Sequence, residues 1–338
     1  MDASTDALRR ERLDEVLALA RQRLAGERHA AFEAFARECF GQLDVDDLAE
    51  RRVEDLAGAL LSQWQFGAQR LPGVPKVRVL SPSIAEEGWA SRHSVIEIVN
   101  DDMPFLVDST TVEINRQGLT IHLLVHPVFS VARDGAGALT SLAAAQAGAA
   151  RESWMTIEVD RLVDAEQRDA LHAGIEKVLA DVRACVSDWK AMVQRLQAAT
   201  AEVAQLAAKP PPGVPASEAA ECREFLEWLA QDHLVLLGYR QHDLVRHEGV
   251  DALRLVPGSG LGVLRERADE SRQPGASGLP PAARALARAV LPMLVVTKAN
   301  TRSTIHRPGY TDYVGVKRYG ADGAVIGEQG FGVAGDAS

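Results

Sequence analysis

Up to about Leu71 the apolar residues recur at helical spacing. Leu8, Leu13, Val16, Leu17 and Leu19 lie among charged residues, and Ala31, Phe32, Phe35 and Phe40 follow after His29. A stripe of this kind is what an amphipathic helix buries. Asp44 and Asp46 stand where caps belong, so one further helix is expected over DDLAERRVEDLAGALLSQWQF. Leu71-Pro72-Gly73-Val74-Pro75 breaks the pattern and closes a helical segment over 1–71.

From Lys76 the period shortens to two. KVRVL, SVIEIV (94–99) and WMTIEVD (154–160) read as strands, and Leu119–Ala132 as one strand running into another with a bend at Pro127. Between them, Asn100-Asp101-Asp102-Met103-Pro104 supplies caps for a helix ending near Gln117, where Gly118 is a natural stop. Asp134-Gly135-Ala136-Gly137 is a turn. The order strand, helix, strand, strand opens a ferredoxin-like α/β domain over 75–163. A helical connector follows over 164–215, with Leu171, Ile175, Val178, Leu179 and Val182 as its apolar positions, and a Pro-rich linker ends it at Pro215.

The remainder repeats the alternation. A helix led by Ser217 precedes the strand HLVLLGYRQHDLV and the strand ALRLV. Residues 266–281 read as a loop, PAARALARAVLP as a helix, and LVVTKA, DYVGVKRY and AVIGEQ as closing strands with a turn at Ala321-Asp322-Gly323. The expectation is an α+β protein: N-terminal helices, then βαββαβ domains joined by a long helical region. The second domain spans 216–331, and 332–338 is a tail.

Composition narrows the function classes. The formal net charge is −10 and the pI about 5.4. No general affinity for nucleic acid or anionic membrane is expected, because both need a dense field of Lys and Arg. Cys39, Cys185 and Cys222 are odd in number and far apart, which reads as buried reduced thiols rather than a disulfide framework or zinc site. With no apolar leader and no long apolar run, a cytoplasmic protein is expected.

Several stretches carry a resemblance. Asn100-Asp101-Asp102-Met103-Pro104-Phe105 resembles the loop that leads into the first helix of ACT domains. SVIEIVNDDMPFLVDSTTVEINRQGL, HPVFSVARD, ESWMTIEVDRL, FLEWLAQDHLVLLGYR, VPGSGLGVLR and TKANTRSTIHRPGYTDYVGVKRYGADGAVIGEQ resemble, in order from about Val77 to Gln329, the N-terminal region of the large bacterial NAD-specific glutamate dehydrogenases. That resemblance implies ACT-like folds and a parent that oxidises glutamate to 2-oxoglutarate with NAD in a catalytic region C-terminal to these residues. It also implies a segment that regulates and assembles rather than catalyses, binds no cofactor itself, associates with itself through its ACT-like domains, and responds to an amino-acid effector. A free-standing amino-acid sensor and a purely structural scaffold are the rival readings. Two departures stand out. Phe105 occupies a place where amino-acid-binding ACT loops commonly have Gly, and Gly330-Phe331-Gly332-Val333 leaves the family pattern.

Candidate chemistry is sparse. Asn100 to Phe105 is the candidate ligand loop, with helix capping as the competing role for Asp101 and Asp102. Lys298, Arg302, His306, Arg307, Lys317 and Arg318, interleaved with Tyr310 and Tyr313, form a candidate anion or interface cluster, set against a solvated basic face. Gly258-Ser259-Gly260-Leu261-Gly262 fails as a dinucleotide motif, because Pro257 interrupts the preceding strand and no helix opens at the glycines. A turn, or a close backbone contact with a neighbouring domain, accounts for it better. His122 and His126 lack a third ligand, so no metal site is expected.

Overall fold

The computed structural model describes residues 3–247, 249–266, 277–278 and 281–335. The chain divides into two compact units, Met1–Leu179 and Ala180–Ser338, and the division falls inside one long helix.

The first unit opens with α1 (Ala3–Arg21), α2 (His29–Gly41), α3 (Val45–Glu50) and α4 (Val53–Gly67). The helix expected across Asp44–Phe66 is therefore two helices. Arg51 and Arg52 take extended backbone between them, and the break lets the Arg51 guanidinium reach the buried Glu158 carboxylate. Asp44 occupies the α3 N-cap position but makes no capping bond through its side chain.

The sheet comprises β1 (Lys76–Leu80), β2 (Ser94–Asp101), β3 (Ile121–Val125), β4 (Val128–Arg133), β5 (Leu139–Ala144) and β6 (Arg151–Val159). A short helix α5 (Ile84–Glu87) sits between β1 and β2, and α6 (Leu106–Arg116) links β2 to β3. β2 and β3 both run antiparallel to β6 and flank it, so β2-α6-β3 is a split βαβ crossover. This is the ferredoxin-like arrangement with one substitution. The place beside β2 is taken by β1, which precedes the crossover. β4 continues along the β6 edge after the bend at Pro127, and β5, which strand-length alternation alone did not mark, pairs outside it.

The period-two pattern explains the packing. Val99 and Trp154 face α1–α4 and join a core with Phe32, Phe35 and Trp64, while Ile96, Ile98, Met155 and Ile157 point to the other face and are equally buried. Two glycines on α4 exist because indoles press on the backbone. A Cβ at Gly67 would stand 2.2 Å from the Trp154 ring, and one at Gly58 2.3 Å from Trp89.

The helix α7 (Ala165–Ala208) runs unbroken through 44 residues. In the second unit its C-terminal part and α8 (Ala216–Trp228) pack on one face of an antiparallel sheet, with Met192, Leu196, Leu226, Tyr239, Val314 and Phe331 in the core. Pro215, not Ser217, occupies the N-cap position of α8, and a π-helical turn, Leu229–His233, leads from it into the sheet. The strands are β7 (Leu234–His247), β8 (Val250–Leu255), β9 (Leu261–Gly262), β10 (Ser277–Gly278), β11 (Leu294–Arg302), β12 (Tyr310–Tyr319) and β13 (Val325–Gly335), with α9 (Pro281–Arg288) before β11. The α+β character is as expected, but the strand order here differs from βαββαβ. β7 pairs with β8 and β12 with β13, so sequence neighbours pair, and β13 returns beside β7. The tail expected from 332 is also corrected. Gly332 to Gly335 pair with β7, and Phe331 and Val333 are fully buried. Most of the loop expected over 266–281 lies outside the described residues.

Candidate functional site

The loop from Asn100 to Phe105 leaves the C-terminal end of β2. Asn100 is buried opposite Ser153, and Asp101 stands opposite Glu152. The expected capping role of Asp101 and Asp102 is corrected, since the N-cap position of α6 falls on Phe105. Asp101 accepts from Arg70 Nη2 at 2.5 Å and from the Gly73 amide at 3.1 Å, and Asp102 pairs with Arg151 at 2.5 Å. The reason is electrostatic. The Arg70 side chain is only 2% exposed, and a buried guanidinium needs carboxylates close by. After Met103 and the exposed Pro104, Phe105 adopts φ +69°, the left-handed conformation that glycine takes freely. The loop therefore keeps a glycine-like backbone with a phenyl side chain, at a strain of about 1–2 kcal/mol.

Beneath the loop lies a buried ionic network. Glu152 accepts from Arg70 Nη2 (2.8 Å), Arg133 Nε (2.7 Å) and Arg133 Nη2 (2.8 Å), and from Trp154 Nε1 (3.0 Å). Burial pushes its carboxyl up, but the bonds and charges of Arg133 and Arg70 outweigh that and hold it below the usual carboxylate range. Arg133 also donates to the carbonyls of Gly67 and Gly137, tying α4 and the β4–β5 turn to the same centre.

The basic residues of the second unit are not gathered into one cluster. Lys298 pairs with Asp312 at 2.6 Å, and Arg302 lies over the Tyr310 ring at 5.5 Å. His306 takes φ +66° in the connection between β11 and β12, and the Arg307 amide donates to Ile305 O. Arg318 bonds Asp243 at 3.0 Å. Lys317 points the opposite way from Arg318 along β12 and is buried, donating to the Leu286 and Ala289 carbonyls at the end of α9. It caps a helix C-terminus. Tyr313 is half-buried across Gly330 and Gly315 and donates to Glu328 at 2.6 Å.

The remaining motifs have local roles. Gly262 pairs with β7 and donates its amide to Asp188, and a Cβ there would stand 2.2 Å from the Leu237 carbonyl, so the close backbone contact is with a strand of the same unit rather than with a neighbouring domain. His126 bonds Ser153, whereas His122, at an irregularity in β3, bonds Asp160 at 2.7 Å. Cys39, Cys185 and Cys222 are buried free thiols, each pushed up by burial, the latter two to about 12. Among the described residues no group of three His, Cys, Asp or Glu side chains is arranged to hold a metal ion.

At the other end of the sheet, where β2 starts and β6 ends, the first unit holds a cleft of about 680 Å³. Its sides are the α3–α4 junction with Arg51 and Asp55 and the segment Trp89–His93, and His122 and Glu158 also line it. The His93 and His122 rings stack at 4.0 Å. Sequence reading picked out none of Arg51, Arg70, His93, Arg133, Glu152 or Glu158. The signal available was the glutamates inside SVIEIV and ESWMTIEVD. A carboxylate in a strand apolar on both faces requires a cationic partner, though nothing local says which.

The glutamate dehydrogenase ACT1 domain matches residues 35–175. The chain is 38% identical over 313 residues to the NAD-specific glutamate dehydrogenase of Halomonas elongata, covering 91% of this chain and 19% of that protein. It is 35% identical to the Pseudomonas aeruginosa enzyme of the same name, over 88% of this chain and 18% of the relative, and 30% identical to the Mycobacterium tuberculosis one over 51% and 10%. The chain thus spans about a fifth of the length of the first two relatives. The split βαβ unit and its loop lie inside the matched domain, and the chain belongs with the N-terminal region of the large NAD-specific glutamate dehydrogenases, carrying their ACT1 domain.

Proposed function

We propose that this chain is a non-catalytic regulatory and assembly segment of an NAD-dependent glutamate dehydrogenase, whose parent reaction converts glutamate and NAD to 2-oxoglutarate, ammonia and NADH. The observation that carries this reading is the match of 91% and 88% of the chain to two relatives about five times longer, with an ACT1 domain matched over residues 35–175. The segment works by pairing ACT-like units, by contacting the catalytic region, and by answering to a small amino-acid effector. NAD serves the parent enzyme and not these residues, and the protein acts in the cytoplasm.

The glycine-like backbone at Phe105 supports an effector loop, since it preserves the path of the chain between β2 and α6. A scaffold without effector is favoured by the pairing of Asp101 and Asp102 with Arg70 and Arg151, which leaves those carboxylates already engaged. A thermal-shift screen against the twenty amino acids, with light scattering on the same samples, separates the two. A saturable stabilisation of about 2.7 kcal/mol at a hundredfold excess over Kd marks a sensor. A stable dimer or larger assembly with no response marks a scaffold, and a monomer with no response overturns both.

A further inference from the structure

The cleft in the first unit has an imbalance of hydrogen-bonding capacity. Its carboxylates already have partners. Glu158 takes two bonds from Arg51, Asp47 a third at 3.3 Å, Asp55 accepts the Ala90 amide at 2.8 Å, and Glu50 lies 3.6 Å from Arg92. Its donors are not all used. The His93 imidazole makes no hydrogen bond to any described residue and rests against His122. Arg92 is 85% exposed, and its contact with Glu50, itself 71% exposed, is of the weak surface kind. The Ser91 hydroxyl accepts from the His93 amide and keeps its own hydrogen to give. A ligand that completes this arrangement brings acceptors.

The charges facing His93 set a direction. His122, Arg51, Arg92 and the acid Glu158 act on it most strongly, Asp47, Glu50 and Asp55 line the same cleft, and Asp160 is engaged by His122. Burial, then the neighbouring His122, holds the imidazole below its ordinary value. An anion placed between His93 and Arg92 would reverse the second effect and draw a proton onto the ring.

We propose that this cleft is a binding site for a small oxyanion, a carboxylate or a sulfate-like group, taken by His93, Arg92 and Ser91, with proton uptake at His93 on binding. The site is distinct from the Asn100–Phe105 loop, which leaves the opposite end of β2, and the proposal stands or falls independently of the effector reading.

The test is isothermal titration calorimetry of the whole chain with sulfate and, separately, with succinate, at about pH 6 and about pH 8, on either side of the ordinary imidazole value of about 6.5. Buffers of different ionisation enthalpy count the protons. The expected result is binding at least roughly tenfold tighter at the lower pH with uptake approaching one proton, a factor of ten being about 1.4 kcal/mol. His93→Gln should abolish the uptake. Arg92→Gln, on an exposed side chain whose loss leaves the core intact, should weaken both ligands at least tenfold. The arms separate the sources: tighter sulfate points to a phosphate-type ligand, tighter succinate to a carboxylate. Binding that is equal at the two pH values, survives both substitutions, or is absent at millimolar ligand would overturn the proposal.

Discussion

Glu152 is the most exacting place to perturb the first unit. Its carboxylate is the shared acceptor for two guanidiniums, and the side chains of Glu152, Arg70 and Arg133 are each no more than 3% exposed. Glu152→Gln keeps the volume and removes one negative charge. Arg70 retains Asp101, whose side chain is 30% exposed, but Arg133 is left with no carboxylate, only one amide oxygen at position 152 and the Gly67 and Gly137 carbonyls. Losing one partner of a buried ion pair costs about 3–5 kcal/mol, because the other charge stays desolvated and unpaired. The assay is urea unfolding followed by tryptophan fluorescence, with the transition of the first unit assigned by hydrogen exchange on β2 and β6. Because the depressed carboxyl contributes stability only while ionised, the wild-type advantage should be complete above about pH 4.5 and shrink as pH falls through the lower folded value. Adding Arg133→Gln should cost less than the sum of the two single changes, since the second removes the charge that the first stranded. A Glu152→Gln penalty below about 1 kcal/mol, or strict additivity, would refute the view that this network is a coupled charge centre.

Other consequences are simpler to check. Gly67→Ala puts a methyl against the Trp154 ring and should cost about 1–3 kcal/mol in the same unfolding assay. Gly174→Ala, whose Cβ would lie 2.0 Å from Glu113 Oε1, should displace the Glu113 carboxylate from the α6–α7 contact and destabilise the first unit despite the helix-favouring alanine, readable as faster exchange of α6 amides. Lys317→Met removes the donor from the α9 carbonyls and should increase exchange over α9 and the end of β12 without changing the first unit. His93, His126 and His242 all sit below the ordinary imidazole value, chiefly through burial. The unfolded chain then binds more protons than the folded one just below about pH 6.5, so stability should fall with acid from that point, and His126→Gln should flatten the slope.

The first unit was largely legible in the sequence because its strands alternate cleanly and its breaks are chemically loud. Pro127, Gly118 and the Asp134–Gly137 turn each end an element where they stand. What stayed hidden depends on distant partners. Arg51 and Arg52 interrupt a run with good helical periodicity only because Glu158, more than a hundred residues on, draws Arg51 out of it. Asp101 and Asp102 have the look of caps, and two arginines claimed them. In the second unit, alternation located β7, β8, β12 and β13 but could not give their order. Sheet order comes from pairings such as β7 with β13, set by which faces the Tyr239–Phe331 contact buries together. The basic residues near Arg302 and Lys317 share a stretch of sequence but not a face, because a strand turns successive side chains to opposite sides.

Whether glutamate oxidation with NAD needs residues outside this chain can be read by assaying the purified chain with glutamate and NAD, following NADH formation by absorbance and NAD binding by thermal shift. The expected result is no NADH and no NAD-dependent rise in unfolding temperature. Steady NADH production, or a saturable stabilisation by NAD alone, would instead place a cofactor site within these residues.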